Sequence, residues 1–173
     1  MRHLDGRVEV VAVPSVEAPE HGGDIVAPLP SSGDTGVAMS QETVEIARAA
    51  IERWLRDGAT LNAVPVELID DNVEWDFSAY PQIDGPIRGT GAAGLLVNLQ
   101  EYFSAWESYR AEAAEFIDAG ENVVVVLHET AGASGVLVER DLFLVWTLRN
   151  GVIGAWRIFE VREDALAAAG VRE

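Results

Sequence analysis

Three side chains that can carry protons, His128, Asp141 and Glu160, are spaced so that two tight turns bring them together. Asn150-Gly151 separates two runs rich in β-branched and aromatic residues, which is the strongest short-range signal of a β-hairpin, and Ser134-Gly135 is a weaker signal of the same kind. With two-residue loops, the first hairpin pairs Asp141 with Glu160 and the second pairs Asp141 with His128. The sequence therefore predicts a histidine and two carboxylates side by side on one face of a sheet.

The opposite face of the same strands is predicted to carry a row of alternating charge. A third turn at Ala119-Gly120 adds the strand Tyr109–Asp118 and pairs Ala111 with His128. The members of the opposite row are then Arg110, Glu129 and Arg140. Opposite charges across neighbouring strands stabilise a sheet, so this row is interpreted as structural. The first row crowds two carboxylates together, which indicates a functional site.

Two interpretations of the first row stay open. The unperturbed pKa of histidine is about 6.5, so His128 could act as a general acid or base, with Asp141 orienting its ring and Glu160 as a second proton-transfer group. Alternatively, His128 and Asp141 are a polar pair that specifies the fold, and Glu160 is solvated at a pocket rim. Strand neighbours project in parallel rather than around a common centre, so no metal site is expected.

Composition excludes several classes of function. The chain has 173 residues, a formal net charge of −17 and no cysteine. One domain is expected, and the negative charge disfavours binding to nucleic acid and to membrane surfaces. No apolar run approaches the roughly 18 residues that span a bilayer, and the first 22 residues lack the apolar block of a secretory signal. A cytoplasmic protein without a cofactor is the expectation.

The chain is predicted to divide into a leader and one folded domain. Residues 1–38 are rich in proline and glycine, which indicates a disordered or loosely attached leader, although Val8–Val13 alternates enough to add an edge strand. Met39 stands directly before Ser40, a good helix N-cap, so one hypothesis is that translation starts at Met39; an intact mass beginning at Met1 would contradict it. The domain is predicted over residues 39–173.

Within the domain the periodicity predicts an α+β fold. Apolar residues recur at helical spacing from Ser40 to Leu55, and Gly58 follows as a stop signal. The other predicted elements are a short helix over Pro65–Asp70, a strand over Asn72–Phe77, a loop over Ser78–Gly89, a helix from about Thr90, four long strands and a short helix from about Glu163 that ends at Gly170.

This order of elements resembles the nuclear-transport-factor-2-like superfamily, and within it the SnoaL-like branch. The resemblance covers about Ser40 to Gly170, and its most specific pieces are the segment DLFLVWTLRNG, from Asp141, and the segment WRIFE, from Trp156. It implies a curved, mostly antiparallel sheet wrapped around helices into a cone with an internal pocket, and often a dimer through the outer sheet face. Relatives include ketosteroid isomerase, limonene epoxide hydrolase and proteins without catalysis, so the fold does not fix the activity.

The catalytic residues of those enzymes are absent at the matching positions. The three acid–base positions of ketosteroid isomerase fall near Ile51, Trp75 and Val145, and those of limonene epoxide hydrolase near His128, Thr130 and Ile158. Because the predicted register places His128, Val145 and Ile158 on one face, the resemblance implies that the His128 row faces the pocket.

The function predicted from these observations is binding of a small hydrophobic molecule, with cofactor-free proton transfer (isomerisation, cyclisation or dehydration) as its catalytic form. The alternatives are a non-catalytic binding module and a structural dimerisation module whose pocket is filled by its own side chains. The residues predicted to contact the ligand are Trp75, Tyr80, Tyr102, Phe143, Trp156 and Ile158. An apolar outer face needs cover, so a homodimer is expected through Leu142, Leu144, Trp146 and Phe159.

Overall fold

The computed structural model describes residues 34–80 and 87–171, so most of the predicted leader, including Val8–Val13, lies outside the described residues. The helices are α1 (Asp34–Arg56), α2 (Ala92–Ser104) and α3 (Arg162–Ala169). The strands are β1 (Ile69–Asp76), β2 (Arg88–Thr90), β3 (Ser108–Ala119), β4 (Asn122–Ala133), β5 (Val136–Arg149) and β6 (Val152–Phe159). The predicted α+β class is confirmed.

The six strands form one curved, unclosed sheet in the order β2-β1-β6-β5-β4-β3. All neighbours are antiparallel except β1 and β6, which run parallel. Helix α1 packs against β3 and β4, and α2 packs against β1 and β2. Helix α3 packs on the opposite face against β4, β5 and β6, so helices cover both faces of the sheet. Within the described residues, no helix is long and apolar enough to cross a membrane.

Strand alternation divides the apolar residues between two cores. We call the face that packs against α1 and α2 the inner face, and the face that packs against α3 the outer face. The inner face carries Val123, Val125, Leu127, Leu142, Leu144 and Trp146, whereas the outer face carries Val124, Val126, Phe143 and Val145. The expectation that Leu142, Leu144 and Trp146 need cover from a second subunit is therefore wrong, because the helices of the same chain cover them.

Two of the predicted hairpins form at the predicted turns. Ser134 and Asn150 have φ of 52°, and Gly135 and Gly151 have φ of 78°, the left-handed pairs that a two-residue hairpin loop requires. The β4–β5 register agrees with the prediction along its whole length, so His128 pairs with Asp141.

A β-bulge changes the predicted partner of Asp141. The β5–β6 register starts as predicted, with Arg149 opposite Val152, but shifts between Thr147 and Leu148, so that Phe143 lies opposite Phe159. A one-residue slip moves every following side chain to the other face of a sheet. The predicted pairing of Asp141 with Glu160 is therefore wrong, and Ile158 lies on the inner face.

A second irregularity affects β3. The turn predicted at Ala119-Gly120 is wrong by one residue, because Ala119 pairs with Asn122 and the loop residues are Gly120 and Glu121. The β3–β4 register also shifts between Ala113 and Glu115, so Ala111 pairs with Glu129 rather than with His128. Arg110 pairs with Thr130, so it does not belong to the row of Glu129 and Arg140.

Two helix predictions also change. Helix α1 begins at Asp34, so Ser40 lies within the helix and is not its N-cap. The short helix predicted over Pro65–Asp70 is a 3-10 turn over Val66–Leu68, and β1 begins directly after it. The predicted end of the last helix is confirmed, because Gly170 caps α3 in the left-handed conformation with φ of 85°.

Candidate functional site

An apolar cavity lies between the inner sheet face and the two longer helices. Its volume is about 50 Å³. One water molecule needs about 10–15 Å³ on this measure, so the cavity has room for about four. Among the described residues, no ionised side chain lines it; the walls are formed by Ile51, Trp54, Val64, Pro65, Tyr80, Leu99, Tyr102, Phe103, Tyr109, Leu142, Leu144, Trp146, Trp156 and Ile158.

A buried carboxylate stands behind one end of this cavity. The Glu129 side chain is 0% exposed. Its Oε2 accepts a hydrogen bond of 2.5 Å from the Tyr102 hydroxyl, and its Oε1 accepts one of 2.5 Å from Arg140 Nε. A buried charge is tolerated only when it is paired and hydrogen-bonded, and both conditions are met here.

Arg140 joins this carboxylate to two further groups. Its Nη1 donates to Glu160 Oε1 at 3.2 Å, and its Nη2 donates to the Tyr80 hydroxyl. The guanidinium carbon lies 4.8 Å from the centroid of the Tyr80 ring and 5.9 Å from that of Trp106. We refer to Tyr80, Tyr102, Tyr109, Glu129 and Arg140 as the tyrosine cluster.

The three tyrosines of the cluster are held in the protonated form. Burial raises the pKa of Tyr80 to about 12. Burial also raises the pKa of Tyr102 and of Tyr109, and the nearby charge of Glu129 raises both further. All three hydroxyls therefore keep their protons at neutral pH, and Tyr102 donates its proton to Glu129.

No family model matches the sequence, and neither does the sequence of any curated protein. Solved structures match it well. TerC, crystallised with polyporic acid, is 18% identical with a TM-score of 0.58 over 75% of this chain and 98% of its own. An NTF2-like protein of unknown function from Burkholderia pseudomallei is 18% identical with a TM-score of 0.56 over 73% of this chain and 95% of its own.

A third similar structure is a protein with a ketosteroid isomerase-like fold from Catenulispora acidiphila, in complex with trimethylamine. It is 15% identical with a TM-score of 0.53 over 71% of this chain and 93% of its own. The chain has the nuclear-transport-factor-2-like fold. The resemblance inferred from the sequence is confirmed at the level of the fold.

Within the nuclear-transport-factor-2-like fold, the predicted proton-transfer residues lie on two faces. The His128 side chain is 41% exposed on the outer face, where its Nδ1 lies 2.9 Å from Asp141 Oδ1 and its Nε2 lies 3.1 Å from Glu139 Oε1. The hydrogen bond with Asp141 raises the pKa of His128. Glu160 instead contacts Arg140, because the bulge moves it to the side of the tyrosine cluster.

The expectation that the His128 row faces the pocket is wrong, because the rows on the two faces exchange roles. Glu129 and Arg140, interpreted from the sequence as structural pairing, lie behind the cavity, while His128 and Asp141 lie outside it. The sequence contained one signal for this exchange. The apolar residues beside Glu129 and Arg140 include leucine and tryptophan, whereas those beside His128 are mostly valine, and the larger side chains reach the helices.

The residues predicted to contact a ligand divide in the same way. The structure places Tyr80, Tyr102, Trp156 and Ile158 in the cavity wall. Phe143 packs on the outer face beside Leu166 of α3. The register predicted from the sequence had placed the pocket on this face. Trp75 is also outside the cavity, with its ring against Gly89 and Gly94. A Cβ at Gly89 would lie 2.5 Å from Trp75 Cζ2, so glycine at this position makes room for the indole.

Tyr109 was predicted only as the first residue of a strand. Its ring lies 6.2 Å from that of Trp54 and 6.1 Å from that of Tyr102, between centroids. Tyr109 and Ala111 alternate on the inner face, where they lie opposite Ala131 and Glu129 of β4. Among the residues that the structure describes, no group of three or more His, Cys, Asp or Glu side chains could hold a metal ion.

Proposed function

We propose that this protein binds a small, largely apolar molecule in the internal cavity and holds one acceptor group of that molecule against the tyrosine hydroxyls. The observation that carries the proposal is the junction of an aromatic-lined apolar cavity with three protonated tyrosines around a charge-paired glutamate. Ligand sites are typically apolar concavities with a few placed polar groups that fix orientation. TerC was crystallised with polyporic acid and the Catenulispora protein with trimethylamine, so small organic molecules occupy crystals of proteins with this fold.

Tyr80 is the hydroxyl best suited to contact the ligand. A phenol carries one proton and can also accept hydrogen bonds. The Tyr102 proton is used on Glu129, whereas the Tyr80 oxygen accepts from Arg140. The Tyr80 hydroxyl also has a hydrogen bond with that of Tyr102, so an acceptor in the cavity would take the place of this contact for the Tyr80 proton. The guanidinium behind Tyr80 strengthens the donor. A ketone, aldehyde or ester oxygen is the matching acceptor.

The catalytic form of the proposal is cofactor-free proton transfer on a carbonyl compound. Protonated donors in a water-poor site stabilise negative charge that develops on a carbonyl oxygen during isomerisation, cyclisation or dehydration. Tyr80 is the donor in this role. An acid–base role for His128 stays a prediction from the sequence, and the outer position of its ring gives that role no support at the cavity.

The size of the cavity is the main constraint on this proposal. A volume of about 50 Å³ is well below the 300–1,000 Å³ of sites for drug-sized ligands. A ligand of about ten non-hydrogen atoms therefore requires side chains to move. The alternative of a pocket filled by its own side chains rests on the same observation. The SnoaL-like branch, the homodimer and the cytoplasmic location also stay predictions.

A matched pair of compounds tests the proposal. 4-Ethylacetophenone and 1,4-diethylbenzene have similar shapes, but only the first has an acceptor. We expect the ketone to bind the wild type about fivefold more tightly, the ratio for one hydrogen bond of average strength. In Tyr80→Phe this preference should disappear while binding of 1,4-diethylbenzene is kept. His128→Ala is the control and should keep the preference, because His128 lies on the outer face.

The Leu99→Ala variant distinguishes two reasons for a failure to bind: a cavity that is too small for the compounds, and a proposed site that is wrong. Leu99 is buried in the cavity wall, so its truncation enlarges the space while the tyrosine cluster is unchanged. We expect this variant to bind both compounds more tightly than the wild type does. Binding of neither compound to the wild type or to Leu99→Ala would refute the proposed function.

A further inference from the structure

Two tryptophans that line the cavity carry indole N–H groups that are not part of the tyrosine cluster. These are Trp146 on β5 and Trp156 on β6, with ring centroids 4.9 Å apart. They are 1% and 6% exposed. The Nε1 atoms of both indoles are buried, and no described residue accepts a hydrogen bond from either.

These unsatisfied donors differ from the other indoles of the chain. Trp54, which also lines the cavity, donates its Nε1 hydrogen bond to the Thr60 carbonyl oxygen at 3.0 Å. Trp75 and Trp106 have buried Nε1 atoms for which the described part of the chain supplies no acceptor, but neither ring lines the cavity. Trp146 and Trp156 are therefore the two cavity-lining indoles whose donors lack a partner among the described residues. A buried donor normally has a partner, so each such group calls for an explanation.

We infer that the ligand carries a second acceptor, which the indole N–H of Trp146 or Trp156 binds, so that the preferred ligand class is an elongated apolar molecule with an acceptor at each end. This inference rests on the proposed function, because it describes the other end of the same site. An acceptor on the ligand satisfies a donor that is otherwise left without a partner. A site of this kind rejects analogues that lack the acceptor.

The spacing along β5 explains why the ligand is elongated. Arg140, Leu142, Leu144 and Trp146 alternate along the inner face, with the tyrosine cluster at the first residue and the indoles at the last. The two leucines between these ends line the cavity and offer no polar atom. The arrangement suits a flat or extended apolar body with polar atoms at its two ends.

The test uses 1,4-diacetylbenzene, with 4-ethylacetophenone as a matched compound of similar shape that has a single acceptor. The five tryptophans give five side-chain signals in a nitrogen–proton NMR spectrum of the protein labelled at the indole nitrogen. Variants Trp146→Phe and Trp156→Phe assign two of these signals. The Trp54 signal is the internal control, because its N–H is already bonded to Thr60.

We expect 1,4-diacetylbenzene to bind about tenfold more tightly than 4-ethylacetophenone and to move the Trp146 or Trp156 indole proton downfield, with the Trp54 signal unchanged. Trp156→Phe should reduce the preference if Trp156 is the donor, and Trp146→Phe if Trp146 is. The spectrum of the wild type decides the matter even if a variant fails to fold. All measurements are repeated in Leu99→Ala, which provides space for both compounds.

The outcomes separate this inference from the proposed function. Equal binding of the two compounds, without a shift of either indole proton, overturns the inference and leaves the proposed function standing. Tighter binding of 1,4-diacetylbenzene that moves only the Trp75 or Trp106 signal also overturns it, because the donor is then a different one. Binding of neither compound to the wild type or to Leu99→Ala refutes both.

Discussion

Two neighbouring rungs of the β4–β5 hairpin carry similar charge pairs in opposite environments. Glu129 pairs with Arg140 on the inner face, where the two side chains are 0% and 14% exposed. His128 pairs with Asp141 on the outer face, where the two side chains are 41% and 57% exposed. The sequence distance between the rungs is a single residue, so strand alternation alone separates a buried cluster from a solvated pair.

The difference shows that burial, rather than residue type, decides how much a charge pair contributes to stability. Exposed ion pairs contribute about 0–1 kcal/mol, because water and salt screen them. In a buried pair each charge depends on the other, and removal of one partner leaves the second desolvated without compensation. The histidine and carboxylates are the more familiar catalytic residue types, but the inner pair lies next to the cavity and is connected to three tyrosines.

Among the variants that test this comparison, Arg140→Ala should cause the largest loss of stability. The substitution leaves the buried Glu129 carboxylate without its charge partner and removes a donor to Tyr80. We expect the free energy of unfolding to fall by about 3–5 kcal/mol, measured by urea denaturation at neutral pH. The matched outer-face variant is Asp141→Ala, for which we expect a loss below about 1 kcal/mol.

A double variant distinguishes loss of a charge partner from loss of packing. If the unpaired Glu129 charge causes the loss in Arg140→Ala, replacing both residues by methionine should restore most of the stability. Similar losses in Arg140→Ala and Asp141→Ala would show that the two rungs do not differ in the way that their burial indicates.

The success of the fold prediction came from local signals. Asn150-Gly151 and Ser134-Gly135 specify their turns through the left-handed conformations of the loop residues, and these conformations depend little on distant contacts. The register shifts next to Thr147 and Ala113 have no comparable signal. A bulge depends on how a strand pairs with both of its neighbours. The turn residues specify only one hairpin each, so they do not predict it.

The site was harder to predict because both faces of the sheet are apolar. When one face is polar, alternation identifies the core side; here Val124 and Val126 are as buried as Val123 and Val125. The lengths of the helices decide which face holds the cavity. Two helices of 23 and 13 residues cover the inner face, and a helix of 8 residues covers the outer face. The individual aromatic residues Tyr102 and Trp156 were predicted in the pocket, but the charged residues beside it were assigned to the wrong face.

The tyrosine cluster should resist ionisation. The chain has three tyrosines, all in the cluster, and burial raises the pKa of each, that of Tyr80 to about 12. In the unfolded chain the pKa is about 10, so the protonated cluster stabilises the fold below pH 10, and this contribution is lost as pH rises above it. Absorbance titration of tyrosinate should show no ionisation near pH 10 in the folded protein. A tyrosine that titrates normally while the circular dichroism spectrum is unchanged would show that the cluster is open to solvent.

The outer pair of His128 and Asp141 should have the smallest effect on stability, and this effect should be larger at acidic than at alkaline pH. The hydrogen bond with Asp141 raises the pKa of His128, and Glu139 adds to this effect. Glu112 lies opposite His128 on β3, so the surrounding strands present carboxylates. A raised pKa in the folded state means that the ion pair contributes fully below about pH 6.5, where the unfolded histidine is also charged, and is lost as pH rises through the folded value.

The difference in Tm between wild type and His128→Gln should therefore be larger near pH 5.5 than near pH 9. Asp141→Asn should reduce this difference, because it removes the main cause of the raised pKa. A difference in Tm that grows with pH would mean that the folded protein favours neutral His128, as expected for a buried ring rather than for the solvated outer rung.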